Sequence, residues 1–193
     1  MNLPNRLSLA RLLLMLPFVG MFYLPVPNAR SWALILFIIA SLTDLADGII
    51  ARRRGLITNF GKLIDPLADK VLMTGALILL TVEGQVPAWV IILILAREFI
   101  VTGIRQIAVS QGVVLAAESL GKHKMIWQVI MVLYFLIRLA STDPMLAFAK
   151  SLFTIPFLAP EFMGKACITI TTALTVISGW RYFWLNRQLF RDA

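Results

Sequence analysis

The chain is poor in the residues that keep a protein in water. Of its 193 residues only 15% are charged and ten are acidic, while 60% are hydrophobic. Ordinary soluble domains carry about 25% charged residues. A chain of this length has too little interior to hide that much apolar surface, so a soluble globular domain and a disordered chain are both excluded. Cysteine is nearly absent: Cys167 stands alone, which excludes an intrachain disulfide and a disulfide-stapled scaffold. Its expected role is that of a small apolar helix residue. Histidine is represented by His123 alone, set between two lysines and read as solvated. Repeats, heptad seams and low-complexity tracts are missing, and no soluble domain fits between the apolar runs. Residues 1–193 are therefore expected to form a single membrane domain. No small-residue cleavage site follows Leu12–Val26, and this stretch is expected to stay as the first anchor.

Apolar runs of membrane length are what the sequence has in plenty. Six segments, 7–26, 32–51, 63–82, 86–104, 125–141 and 167–185, come near the 17–25 residues that cross a bilayer. The expected fold is an all-α, polytopic membrane protein with six transmembrane helices, with Pro17 kinking the first. The stretch 145–163 is also apolar, but Pro144, Pro156 and Pro160 break it, which predicts an interfacial or re-entrant connection. Trp32, Trp89, Trp127, Trp180 and Trp184 fall near span ends, as interfacial anchors do.

The net charge of +8 would suggest nucleic acid in a soluble protein. Here the cations sit mostly in short connections. Six spans place both termini on one side, and that side collects twelve lysines and arginines against four on the other, with Lys70 and Arg97 inside spans. The positive-inside rule makes the twelve-charge side cytoplasmic. No nucleic-acid partner is expected; the partner is the lipid bilayer of the cytoplasmic membrane.

The second and third spans reach full length only by including acids. Trp32–Leu42 supplies eleven apolar residues, so the helix must continue through Asp44 and Asp47; the third span must carry Asp65, Asp69 and Lys70. Carboxylates at that depth are costly and mark internal polar sites. Asp44 and Asp47 are spaced i, i+3 and Asp65 and Asp69 i, i+4, so each pair shares one helix face, and a short basic loop joins the two helices as a hairpin. Four such charges cannot coexist in a low-dielectric site without cations. Carboxylate oxygens without His or Cys suit Mg²⁺ or Mn²⁺, and four aspartates suffice for two ions, the arrangement that serves phosphoryl transfer. Gly48, Ala51 and Gly61 leave bare backbone nearby for a bulky ligand.

The string Asp44-x2-Asp47-Gly48-x2-Ala51-Arg52-x8-Gly61-x3-Asp65-x3-Asp69 fixes eight identities in 26 positions. It resembles the signature of the CDP-alcohol phosphotransferases at every fixed position. The resemblance implies a six-helix membrane enzyme, usually a homodimer, that uses two divalent cations to displace CMP from a CDP-linked donor by an alcohol. It implies Asp44, Asp47, Asp65 and Asp69 as metal ligands, with Asp69 also the catalytic base. Gly48, Ala51, Arg52 and Gly61 would line the CDP-diacylglycerol site, with Asn5 of the Leu3-Pro4-Asn5-Arg6 segment beside them.

Further pieces resemble the branch of this family that uses glycerol 3-phosphate: Leu63–Lys70, Arg97-Glu98-Phe99 with Gly103-Ile104-Arg105, and Gly121-Lys122-His123-Lys124. Met125 stands where relatives commonly carry Thr. A phosphorylated acceptor needs cations beside the metals. Arg97 and Arg105 lie two turns apart near the cytoplasmic end of the fourth span, and Lys122 and Lys124 at the entrance to the fifth. Arg suits bidentate phosphate contact and Lys supplies a point charge; Glu98 is expected to orient one of them. Other acceptors (phosphatidylglycerol, serine or inositol phosphate) are the alternatives within the family. A divalent-cation transporter is the alternative outside it, but the inverted repeats or broken helices of that class are absent.

Overall fold

The computed structural model describes residues 3–54, 59–113, 115 and 119–190, with side chains described over 9–43, 70–113, 115 and 119–189. It is all-α. Six long helices run α1 Leu3–Tyr23, α2 Ala29–Arg54, α3 Asn59–Val82, α4 Ala88–Ser110, α5 Ser119–Ala140 and α6 Lys165–Leu185. Each coincides with one of the six apolar segments. Pro17 lies inside α1, which continues past it to Tyr23.

The connections are short because the sequence stops each helix abruptly. Pro25 and Pro27 follow α1, where a missing N–H ends the ladder, and Asn28 turns the chain at φ 58° into α2. Between α3 and α4, Gly84 takes φ +67°, a conformation that a side chain would strain, and Pro87 precedes the first turn of α4. This end of the bundle is tied by polar contacts. The Ser31 N–H and hydroxyl both donate to Asp143 Oδ2, at 2.7 and 3.0 Å, so a carboxylate beyond α5 caps the start of α2. Arg30 pairs with Glu83, and Arg138 Nη1 donates to Gln85 Oε1 at 2.9 Å.

Helix α1 packs on α2 and α3, α5 packs between α2 and α6, and α4 lies against α6. Phe18, Phe37, Leu77, Leu80, Ile94, Met131 and Leu136 fill the centre, with the Phe18 and Phe37 rings 5.9 Å apart. The outer surface is apolar as well: Leu16, Ile92, Phe99, Phe148 and Trp180 are exposed. A helical bundle with apolar residues on both its inside and its outside is consistent with a polytopic membrane protein.

By length and composition, two helical stretches among the described residues can cross a membrane, Ser119–Ala140 and Pro160–Leu185. The apolar described parts of α1, α2 and α3 run only 10–17 residues, and α4 holds Arg97, Glu98 and Arg105 within its 23 residues. Pro144 and Pro160 each stand at the start of a helical segment. Pro144–Thr154 is a 3₁₀ segment, and Pro160–Gly164 forms a wide π turn that leads into α6. Chain contacts join these segments to α5 and α6.

Candidate active site

The acidic motif falls on two of the observed helices. Asp44, Asp47, Gly48, Ala51 and Arg52 belong to α2, and Gly61, Asp65 and Asp69 to α3. The helical spacing that puts each aspartate pair on one face is therefore present in the backbone. The side chains of these residues, and that of Asn5 in α1, lie outside the described residues. Among the described residues no group of three or more His, Cys, Asp or Glu could hold a metal ion. The donor set of the motif itself, four carboxylates without nitrogen or sulfur, has the chemistry of a hard divalent-cation site.

Side chains are described again from Lys70, one residue beyond Asp69, and there a cavity of about 290 Å³ opens between α3, α4, α5 and α6. All four residues assigned from sequence to a phosphate group line it: Arg97, Arg105, Lys122 and Lys124. Among the described residues Lys70 and Glu98 complete the charged lining, giving five cations against one anion. Such a wall attracts an anion and repels a cation.

Glu98, Lys124, Arg105 and Lys70 are held by their neighbours. Glu98 Oε1 accepts from both Arg97 Nη1 at 3.0 Å and Lys124 Nζ at 2.6 Å. The Lys124 side chain is only 4% exposed and that of Glu98 29%. Burying an ammonium this deeply requires a partner charge. Arg105 Nε donates to the Tyr182 hydroxyl at 3.2 Å, and its guanidinium carbon lies 5.7 Å from the tyrosine ring centre. Lys70 Nζ donates to Thr102 Oγ1, linking α3 to α4. Arg97 Nε is buried without a hydrogen-bond partner among the described residues, a condition that native structures rarely leave uncompensated.

His123, expected in the connection before the fifth span, lies with Lys122 and Lys124 on a helix. Helix α5 begins at Ser119 and carries all three in its first two turns. The apolar run marks where the span starts, whereas the helix starts earlier, because its charged first turns face the cavity and the open end. Lys122 and His123 are exposed, as a solvated pair would be, but Lys124 points inward. Met125 lines the cavity, and one turn further on so does buried Gln128, a polar group the sequence reading passed over. Also passed over was the end of α6. Tyr182 lines the cavity and Gly179 lies against Arg97: a Cβ on Gly179 would stand 2.9 Å from Arg97 Cγ. The only signal was a glycine and a tyrosine three residues apart in an otherwise apolar helix.

Comparison with known proteins bears on the same site. The family model described as CDP-alcohol phosphatidyltransferase matches residues 1–177. The chain is 39% identical over 205 residues to CDP-diacylglycerol–glycerol-3-phosphate 3-phosphatidyltransferase of Bacillus subtilis, covering 100% of this chain and 98% of the relative. It is 34% identical to the protein of the same name from Rickettsia bellii, over 98% and 97% of the two chains. A third relative is the "Probable phosphatidylglycerophosphate synthase" of Mycobacterium tuberculosis, 39% identical over 94% of this chain and 79% of that one. Full-length likeness at this level, with the acidic motif on α2 and α3 and a basic cavity one residue beyond it, shows that the chain belongs to the CDP-alcohol phosphatidyltransferase family.

Proposed function

We propose that the protein transfers the phosphatidyl group of CDP-diacylglycerol to glycerol 3-phosphate, releasing CMP and phosphatidylglycerol phosphate. The observation that carries this reading is the cavity. Arg97, Arg105, Lys122 and Lys124, from two helices, share one wall directly after the last aspartate of the motif. A neutral alcohol has no use for so many cations, whereas a phosphate monoester does. The buried Arg97 Nε gains an acceptor when a phosphate oxygen enters. The named activity of the Bacillus and Rickettsia relatives supports the same acceptor.

In this reading Asp44, Asp47, Asp65 and Asp69 hold two divalent cations, Mg²⁺ or Mn²⁺. When bound, these polarise the reacting oxygens and neutralise the diphosphate. The chain's own groups do the rest. Asn5, Gly48, Ala51, Arg52 and Gly61 hold the donor, and the basic cavity holds the acceptor phosphate. Asp69 takes the proton of the acceptor hydroxyl as its oxygen bonds to the phosphorus bearing diacylglycerol. The bond from that phosphorus to the CMP oxygen breaks in line. The full chain forms one six-span membrane domain, its site facing the cytoplasm, in a homodimer.

An acceptor panel tests this. Purified protein with CDP-diacylglycerol should release CMP with glycerol 3-phosphate and not with glycerol, serine, inositol phosphate or phosphatidylglycerol. Release with one of the latter alone would overturn the assignment.

A further inference from the structure

We propose that α6 positions the anion-binding arginines. The missing side chain of Gly179 is the slot that holds Arg97, and the Tyr182 hydroxyl fixes Arg105. The inference rests on the cavity being the acceptor-phosphate pocket, and it concerns residues beyond the family match, which ends at residue 177.

Gly179 sits in the interior of α6, where glycine is the poorest choice after proline. Its φ is not of the left-handed kind that would demand glycine. What demands it is Arg97. A Cβ on Gly179 would lie 2.9 Å from Arg97 Cγ and 3.7 Å from its Cβ. The contact is with the base of the arginine chain, not its flexible tip, so it cannot be relieved at the outer torsions. Arg97 would have to turn about its first torsion and carry the guanidinium away. At the other end of the same side chain, Gly121 leaves room for Nη2, which lies 3.2 Å from where a Cβ would stand. Between the two glycines the guanidinium has one place to go, the place where Nη1 meets Glu98 at 3.0 Å.

Tyr182 follows Gly179 by three residues and therefore shares its helix face. It is buried against Val101 and Ile104 of α4, so its ring position is set by packing. Its hydroxyl accepts from Arg105 Nε at 3.2 Å. That bond engages Nε and not the Nη1–Nη2 edge, the edge that meets a phosphate side by side. Both residues act through arginines and neither needs to touch substrate; they are positioning residues. Long arginine chains lose much rotamer freedom when fixed, and a wall that fixes them before binding spares the acceptor that cost.

The test uses the full-length protein in mixed micelles, with Gly179→Ala and Tyr182→Phe each made in the wild type and in Arg97→Ala and Arg105→Ala backgrounds. Each single change should raise the KM for glycerol 3-phosphate about 3- to 10-fold, the scale of one weakened hydrogen bond. The KM for CDP-diacylglycerol should stay within about twofold. Gly179→Ala should add nothing once Arg97 is alanine, nor Tyr182→Phe once Arg105 is alanine. Additive effects in these pairs, or an unchanged acceptor KM, would overturn the inference. If Gly179→Ala does not accumulate, the Tyr182 pair decides alone, because phenylalanine keeps the packing. Should Arg97→Ala and Arg105→Ala themselves leave the acceptor KM unchanged, the pocket assignment fails first and the inference falls with it.

Discussion

Replacing Glu98 by glutamine should destabilise the protein more than replacing the lysine it holds. Glu98 Oε1 serves Arg97 Nη1 at 3.0 Å and Lys124 Nζ at 2.6 Å. Glutamine keeps the shape and can still accept, but it removes the one negative charge that the described residues give the cavity wall. Lys124, 4% exposed, would then lose its 2.6 Å ion pair, and Arg97 its 3.0 Å one. Breaking a buried ion pair from one side costs about 3–5 kcal/mol; with Glu98 29% exposed, water screens part of this, leaving about 2–3 kcal/mol. For a chain of this size that corresponds to a fall in Tm of roughly 4–12 °C. Lys124→Met is the contrasting change. It fills the same volume, removes the buried charge, and leaves Glu98 paired with Arg97, so its cost should be about 1 kcal/mol or less. Thermal unfolding in one detergent, at low and high salt, measures both. The gap between the variants should persist in high salt because the pair is shielded from bulk ions. A Glu98→Gln protein as stable as wild type, or less affected than Lys124→Met, would refute the view that this carboxylate holds the wall together.

Asp44→Asn, Asp47→Asn and Asp65→Asn should each reduce CMP release more than about tenfold while the protein still inserts, since positioned metals supply several kcal/mol; activity above a tenth of wild type in two of the three would sink the metal assignment. Chelation should abolish turnover and Mg²⁺ or Mn²⁺ restore it, with Zn²⁺ a poor substitute for an all-oxygen site. Arg105→Ala and Lys122→Ala should raise the KM for glycerol 3-phosphate more than that for CDP-diacylglycerol, by up to the roughly 1.5–3 kcal/mol of a charge-assisted contact, and equal weakening of both substrates would place the acceptor elsewhere. Donor chirally labelled at phosphorus should give inverted product if Asp69 serves a single displacement; retention would indicate an acyl-phosphate intermediate.

The sequence by itself determined the helices and the chemistry. Apolar runs of membrane length can satisfy their backbone only as helices, so the six segments were legible to within a few residues. Acids that interrupt such runs are too costly to be incidental, so Asp44, Asp47, Asp65 and Asp69 stood out without coordinates, as did Arg97. Periodicity could not show which helix faces meet across the bundle, because an apolar helix in an apolar surrounding carries little amphipathic signal. Only the tertiary structure brought Arg97, Arg105, Lys122 and Lys124 to one cavity. It also drew the lysines into α5 and turned Lys124 inward onto Glu98. The end of α6 was the least legible part. Gly179 reads as a flaw in a helix and Tyr182 as one more aromatic until α4 packs against them, when the first becomes the space for Arg97 and the second the partner of Arg105. Such roles depend on distances between residues some eighty positions apart, and no local rule of spacing encodes them.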